Sequence, residues 1–395
     1  MYKPFIMNIK ILPGFLLISF AATFCHAQKI STKQINTEFK HAAAQYKVMK
    51  KLLPAGRFPK TYEKNQLQTS GSEWWCSGFY PGSLLYIYQQ TKDTVIYNEA
   101  MRSMDLLKKE QFNKNTHDIG FMMYCSFGNL EKLQPSKETE EILMNSAKSL
   151  STRFDPTVGC IRSWDSKPES FLVIIDNMMN LELLFWATKH SGDSSFYKIA
   201  VTHANTTMKN HFRDDYSSFH VVDYNPKTGA VQKQRTAQGA ADNSAWARGQ
   251  AWGLYGYTVM YRETKDTKYL DQANHIANFI LNNRNMPADK IPYWDFDAPG
   301  IPNALRDASA AAVMASAFLE LSKYVDKDAG KKYYSVAETM LQHLSAQPYQ
   351  ANTGSNGGFI LEHCVGHIPN KTEIDVPLTY ADYYYLEALK RYKSY

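Results

Sequence analysis

The sequence predicts an all-α fold, an (α/α)6 toroid of six helical hairpins with a few short strands confined to inserted loops. Three observations carry this expectation. A self-similar unit recurs along the chain: an apolar helix, a short polar turn containing Asp, then a Tyr that opens a second amphipathic helix. One such hairpin cannot bury its own apolar face, so the units must stack on neighbours. Their spacing is irregular and interrupted by long inserts, which suits a closed ring better than an open solenoid of tight period. With 395 residues, 44% of them hydrophobic, the chain has material for a full core.

The first element is a secretory signal peptide over residues 1–27. Lys3 and Lys10 supply charge around the start of the apolar run "ILPGFLLISFAATF", and "CHA" offers small residues for cleavage after Ala27. The run is too short and too poorly flanked for a membrane anchor. Cys25 offers lipid attachment as an alternative, against which the bulky Phe24 argues. The mature chain, 28–395, is then a single catalytic domain in the periplasm or outside the cell, although length alone would suggest roughly two to three domains. Without Lys3 and Lys10, 42 basic residues face 38 acidic ones. That mild balance suits an anionic substrate. No basic run or arginine-rich arm points to nucleic acid, no stable membrane partner is expected, and the chain should be a monomer or a weak homo-oligomer. Cys76, Cys125, Cys160 and Cys364 are too widely spaced for a CxxC motif. An oxidising compartment permits disulfides, but buried thiols suit a chain of this size.

The repeat units follow in order. "LLYIYQQTKDTVIYNEAMRSMDLL" runs from Leu84 to Leu107, and a weaker copy with "QPSKETE" as its turn spans Phe127 to Leu150. Further copies begin at Leu183, Tyr257 and Ala317, and Tyr97, Tyr197, Tyr269 and Tyr334 mark the second helices. Tyr269, Ala273, Ile276 and Ile280 fall on one helical face. "SFHVVDYNPKTGAVQKQ", Ser218–Gln234, reads as a β-hairpin turning around Asn225–Gly229.

Unusual residues cluster in the inserts and at the helix starts after them. His117 and Asp118 precede the apolar run "IGFMMYCSF", where Asp118 also reads as a helix cap. Asp176 sits among Val, Ile and Met, where a carboxylate is costly to bury unpartnered and burial raises its pKa; a capping role is the alternative. His220 falls on an expected strand. Gln238, Arg248 and Trp252 belong to "TAQGAADNSAWARGQAW", and Trp75 to "GSEWWCSGFYPG". Each has a structural reading: a satisfied core histidine, core tryptophans, Arg248 paired with Asp242. Together they are the residue types of a saccharide site. On a helix, Arg248 and Trp252 at i and i+4 share a face, a cation that can fork a sugar carboxylate beside a stacking plane, with the intervening Gly and Ala residues leaving the surface open.

At these residues the sequence resembles glycoside hydrolase family 88, the unsaturated glucuronyl hydrolases. The resemblance runs from "WWCSGFYPG" through "HDIGF", "IIDNMMNLELLFWA", "DNSAWARGQAWGLYG" and "RDASAAAV" to "EIDVPLTYADYYYLEAL". It implies an (α/α)6 barrel, Asp176 as general acid/base, Asp118 as the second active-site carboxylate, and Trp75, His117, His220, Gln238, Arg248 and Trp252 as substrate-binding residues. Trp164 is a candidate for further stacking, with packing as its other role. The loop "HCVGHIPNKTEI" approaches a second sugar in this reading, with Lys371 placed to favour a sulfate.

The implied substrate is the Δ4,5-unsaturated uronate that polysaccharide lyases leave at a non-reducing end. Its C4=C5 bond is a vinyl ether, and the resemblance implies hydration of that bond without a metal or organic cofactor. One carboxyl can serve as acid and then as base. The expected substrates are unsaturated uronyl oligosaccharides from glycosaminoglycans of the chondroitin, hyaluronan or heparin type. Alternatives are an unsaturated rhamnogalacturonyl hydrolase on pectin fragments, a non-catalytic sugar-binding toroid, and an epimerase or conventional glycosidase on the same barrel.

Overall fold

The computed structural model describes residues 1–4 and 29–395. The expected signal peptide, residues 1–27, thus lies, apart from its first four residues, outside the described residues. In chain order the helices are α1 (Thr32–Leu52), α2 (Phe79–Thr91), α3 (Thr94–Leu107), α4 (Asn129–Leu133), α5 (Lys137–Ser151), α6 (Leu181–Ser191), α7 (Ser194–Asn210), α8 (Ala247–Thr264), α9 (Thr267–Asn282), α10 (Ala308–Leu321), α11 (Lys327–Leu344) and α12 (Thr379–Lys393). A π-helix, Gly120–Gly128, runs into α4, and a 3-10 helix, Ile175–Asn180, runs into α6.

These segments form two concentric rings. The inner ring is α2, the π-helix with α4, the 3-10 helix with α6, α8, α10 and α12, each packed on the next and α12 closing on α2. The outer ring is α1, α3, α5, α7, α9 and α11. Composition explains the sorting. Every residue of α10, "ASAAAVMASAFLEL", is buried, as are Ala247–Met260 of α8; helices apolar all round belong inside. In α9 the buried residues include Tyr269, Ala273, Ile276 and Ile280, the expected stripe, with polar residues facing out. The marker tyrosines are not equivalent, since Tyr269 is buried and Tyr197 is exposed.

The recurring polar turn has one construction at three corners. A left-handed residue ends the inner helix (Lys92, Gly192 or Lys265), and an Asp immediately caps the outer one (Asp93, Asp193 or Asp266). The Thr or Ser just before bonds back to the inner helix and accepts from the Asp backbone N–H: Thr91, Ser191 and Thr264 at 3.3, 3.1 and 3.2 Å. The repeated "TKD" and "SGD" are therefore a helix stop and a helix start in consecutive residues. At α11, Asp326 accepts from the backbone N–H of Asp328 and Ala329. The weaker copy uses Ser136 at α5.

The sixth pair joins the chain's ends. α1 packs against α2 and α12; Tyr385 donates to Glu38 at 3.0 Å, and Lys393 Nζ bonds Asn36 at 2.8 Å. With short turns at one end of the barrel, the long loops all collect at the other. They carry the strands. β1 (Phe58–Glu63) pairs with β2 (Gln66–Ser70), β3 (Phe154–Asp155) with β4 (Cys160–Ile161), and β8 (Cys364–His367) with β9 (Thr372–Val376). β5 (Phe171–Ile174), β6 (Val221–Tyr224) and β7 (Val231–Arg235) form an antiparallel sheet. β6 and β7 are the predicted hairpin; β5 is its unforeseen third strand and leads directly into the 3-10 helix. The four described cysteines are unpaired. Among the described residues no helix is long and apolar enough to cross a membrane.

Two glycines hold the 3-10 helix. A Cβ on Gly120 would meet Asn180 Cα at 2.5 Å, and one on Gly256 would meet Met178 Cβ at 2.5 Å. The small residues of "ARGQAWGLYG" are thus buried and let helices approach, rather than opening a surface. Gly120→Ala should push the π-helix off the 3-10 helix and lower activity by about 100-fold, the scale of a small misplacement in a reacting site, in a protein that keeps its helical circular dichroism. Asp326→Ala should cost about 1 kcal/mol of stability and Asp326→Asn almost nothing, read as denaturant midpoints at constant slope.

Candidate active site

At the loop end, a cleft of about 420 Å³ narrows to a deeper pocket of about 100 Å³. Trp75, Asp118, Trp164, Gln238 and Arg248 line both, while His117, Ile174 and Asp176 line the deeper part. These residues come from four separate inserts between helices, and the β8–β9 hairpin adds a fifth segment to the outer cleft.

Asp118 is two residues short of the π-helix. Its side chain does not cap that helix, which has no side-chain cap; the capping alternative therefore fails. Instead Thr116 Oγ1 donates to Oδ2 at 2.9 Å, and His117 Nε2 lies 2.9 Å from Oδ1. Burial, with the positive Arg153 nearby, holds the His117 imidazole well below its usual range and neutral. Burial also raises Asp118 to about 7; the Thr116 bond opposes this, the Asp176 charge adds to it, and Arg153 opposes it.

Asp176 is the second residue of the 3-10 helix, held where β5 gives way to the inner ring. It caps nothing, and the residue is 9% exposed. Burial raises it to about 7 against the opposing Arg248 charge, its own backbone N–H and the Trp252 indole N–H. Both carboxyls are therefore raised to about 7 chiefly by burial, and the Asp176 charge is among the causes at Asp118.

His220 lies just before β6 rather than on it. The backbone N–H groups of Ala237 and Gln238 both donate to its Nδ1 at 3.1 Å, which assigns the ring proton to Nε2. Nε2 is 3.6 Å from Asp176 Oδ2, too long for a hydrogen bond. Burial, followed by the Arg248 charge, keeps His220 neutral. Asp176 Oδ2, His220 Nε2 and Trp252 Nε1 are buried without a hydrogen-bond partner among the described residues. Clustered orphan polar atoms of this kind are rare in a structural core.

Other candidates sit differently from expectation. Trp252 is 0% exposed, enclosed by Phe121, Tyr380 and Tyr384, and does not line the cleft. It offers no stacking plane; it is floor beneath Asp176. Trp75 and Trp164 line the walls instead. Arg248 is paired with Asp307, at 3.3 Å, and not with Asp242, which accepts from the Thr236 backbone. Gln238 Nε2 donates to the Gly366 carbonyl at 3.0 Å. The predicted C-terminal loop is β8–β9, and Gly366, His367, Asn370, Thr372 and Glu373 form a rim of the cleft, whereas Lys371 does not line it.

Sequence reasoning passed over Thr116, Lys60, Glu73 and Tyr380, which also line the cleft. Tyr380 was disguised among the tyrosines of "YADYYYL", and Lys60 had no signal on its strand. Asp307 was visible as a lone acid ahead of the apolar run of α10.

Comparisons with known proteins identify the family. A family model for Glycosyl Hydrolase Family 88 matches residues 50–395. An unsaturated glucuronyl hydrolase of Formosa agariphila is 43% identical over 391 residues, covering 95% of this chain and 97% of the relative. An unsaturated chondroitin disaccharide hydrolase of Streptococcus pneumoniae is 33% identical, covering 80% of this chain and 81% of the relative. Among solved structures, an unsaturated glucuronyl hydrolase specific for heparin superposes with a TM-score of 0.89 at 47% identity, covering 92% of this chain and 98% of that one. Sequence, fold and near-full-length coverage agree: the chain belongs to glycoside hydrolase family 88.

Proposed function

We propose that this enzyme releases the Δ4,5-unsaturated uronic acid from the non-reducing end of lyase-generated glycosaminoglycan oligosaccharides by hydrating the C4=C5 bond. The observation that carries the reading is the pair of buried Asp176 and partly buried Asp118, both raised to about 7 in a cleft shared with Arg248. The similar glucuronyl hydrolase specific for heparin and the similar chondroitin disaccharide hydrolase support this substrate class.

In this reading Asp176 enters protonated. Its apolar setting favours the acid, and an ionised Asp118, stabilised by donation from Thr116 and neutral His117, favours it further. Asp176 delivers its proton to C4, and positive charge develops on C5 and the ring oxygen. The carboxylate so formed, with Arg248 and the Trp252 N–H beside it, takes a proton from the water that adds at C5. The product is a hemiketal, which opens and releases the neighbouring sugar. One residue is acid and then base because donation leaves it a base, so the carboxylate separation that distinguishes retaining from inverting glycosidases does not govern this reaction. Arg248 meets the uronate carboxylate with the part of its donor fork left free by Asp307, Val365 and Gly366. Trp75 and Trp164 face the sugar rings, and Gln238 and the β8–β9 rim meet the second sugar. Residues 1–27 act as the export signal of a periplasmic or secreted enzyme.

Asp176→Asn should abolish loss of the double bond's ultraviolet absorbance while leaving disaccharide binding within a few-fold by calorimetry; near-normal turnover would remove the assignment. The same variant should raise Tm most at pH 8, by less at pH 5, and not at all below the unfolded value of 3.8. The native pKa lies above the unfolded one, so the folded state binds the proton more tightly and loses stability as pH rises from 3.8 to about 7; Asn carries no such charge. In the unmodified enzyme kcat should fall as pH rises through about 7, where the proton donor is lost. A rate that climbs through that range would contradict the acid role.

A further inference from the structure

Arg248 is fully buried, and its guanidinium is engaged before any substrate arrives. Nη1 contacts Asp307 Oδ2 at 3.3 Å and donates to the Val365 carbonyl; Nη2 donates to the Gly366 carbonyl at 2.8 Å. The Trp246 and Tyr380 rings lie 4.5 and 5.2 Å from its carbon. Burial works against charge on this arginine, but Tyr380, Asp307, Asp176 and Glu373 outweigh it and hold the guanidinium above its usual value.

Asp307 is the hub of this arrangement. It is 0% exposed. Its Oδ1 accepts from the Ser309 backbone N–H and hydroxyl at 3.0 and 2.6 Å, starting α10, and from the Val365 N–H at 3.3 Å, holding β8. The Ala308 N–H donates to the His363 carbonyl at 3.0 Å beside it. One carboxylate thus ties together an arginine on α8, the first turn of α10 and the hairpin that forms the cleft rim. Buried ion pairs contribute little net stability, so stability alone does not account for placing this pair in the wall of the cleft.

We infer that Asp307 is a positioning residue: it aims the free edge of Arg248 into the cleft and couples that arginine to the β8–β9 rim, so that the anion site and the second-sugar wall form one rigid unit. The inference rests on the reading of Arg248 as the substrate-carboxylate group. Its negative charge also partly offsets Arg248 in the field at Asp176. The groups facing Asp176 are Asp118 and His117 from the segment before the π-helix, His220 from the loop before β6, and Arg248 with the Trp252 N–H from α8. Of these, only the Arg248 charge is paired with Asp307.

The test compares Asp307→Asn, Asp307→Glu and Arg248→Lys on one unsaturated disaccharide, with KM, kcat and the pH profile of kcat measured for each and folding checked by Tm. Asp307→Asn keeps an oxygen for the α10 cap but loses the charge. It should raise KM about tenfold or more and move the alkaline fall in kcat to lower pH, because an unpaired Arg248 favours ionised Asp176. Asp307→Glu keeps the charge but misplaces it, so KM should rise with the pH profile unmoved. If Asp307→Asn does not fold, Asp307→Glu carries the test through that split. A folded Asp307→Asn with unchanged KM and pH profile overturns the inference, and so does a lowered Tm with neither kinetic change, since a helix cap alone predicts that. Arg248→Lys separates the two readings. If it raises KM while the Asp307 variants do not, positioning fails and the substrate role of Arg248 stands; if it leaves KM unchanged, the substrate role itself fails.

Discussion

The site depends on two carboxyls shielded from water, Asp176 buried and Asp118 partly so, with the Asp176 charge felt at Asp118. Asp118 and Asp176 lie on irregular turns, ahead of a π-helix and inside a 3-10 helix, rather than in regular α-helix. A regular helix projects side chains along its length at fixed angles, whereas these turns let a carboxyl be aimed from the end of an inner helix into the mouth of the barrel. The ring holds the turns in place. Gly120 and Gly256 allow the π-helix and α8 to close on the 3-10 helix, and Asn180 Oδ1 accepts from the Phe121 N–H at 2.9 Å across the gap.

The surroundings are matched to those acids. His117 and His220 are kept neutral by burial, so neither competes as a cation for the carboxylates. Two backbone N–H groups set the His220 tautomer, presenting a donor toward Asp176. The positive charge within the pocket is Arg248, itself moderated by Asp307. A stronger field would ionise Asp176 and remove the acid; a weaker one would leave little to hold an anionic sugar. The unpartnered atoms around Asp176 are the cost of this arrangement, and the paired core around them carries it.

Much of the fold could be read because its repeat is local chemistry. A left-handed stop, an Asp cap and a Ser or Thr bonding back over the last helical turn occupy consecutive residues, so the corner is written in three letters of sequence. The inner and outer helices differ in composition, as α10 and α9 do, and so they sort without knowledge of neighbours. Asp176 stood out for a similar reason: an acid within an apolar run has few structural uses. Trp252 was misjudged because i, i+4 spacing tells which face a side chain shares but not what covers that face. Phe121, Tyr380 and Tyr384, which enclose it, come from distant parts of the chain.

The sequence alone determined the hairpins and their caps, which follow from residues within one helical turn and from the amphipathic period, and it pointed to the ring class through the repeat's irregular spacing and to the chemical kind of the site through the residue types gathered in the inserts. Tertiary structure alone decided the partner of Arg248, the tautomer of His220, the burial of Trp252 and the raised pKa values of Asp118 and Asp176. Those properties arise where five loops meet, and a field or a hydrogen bond across such a junction depends on distances between residues that local pattern does not encode.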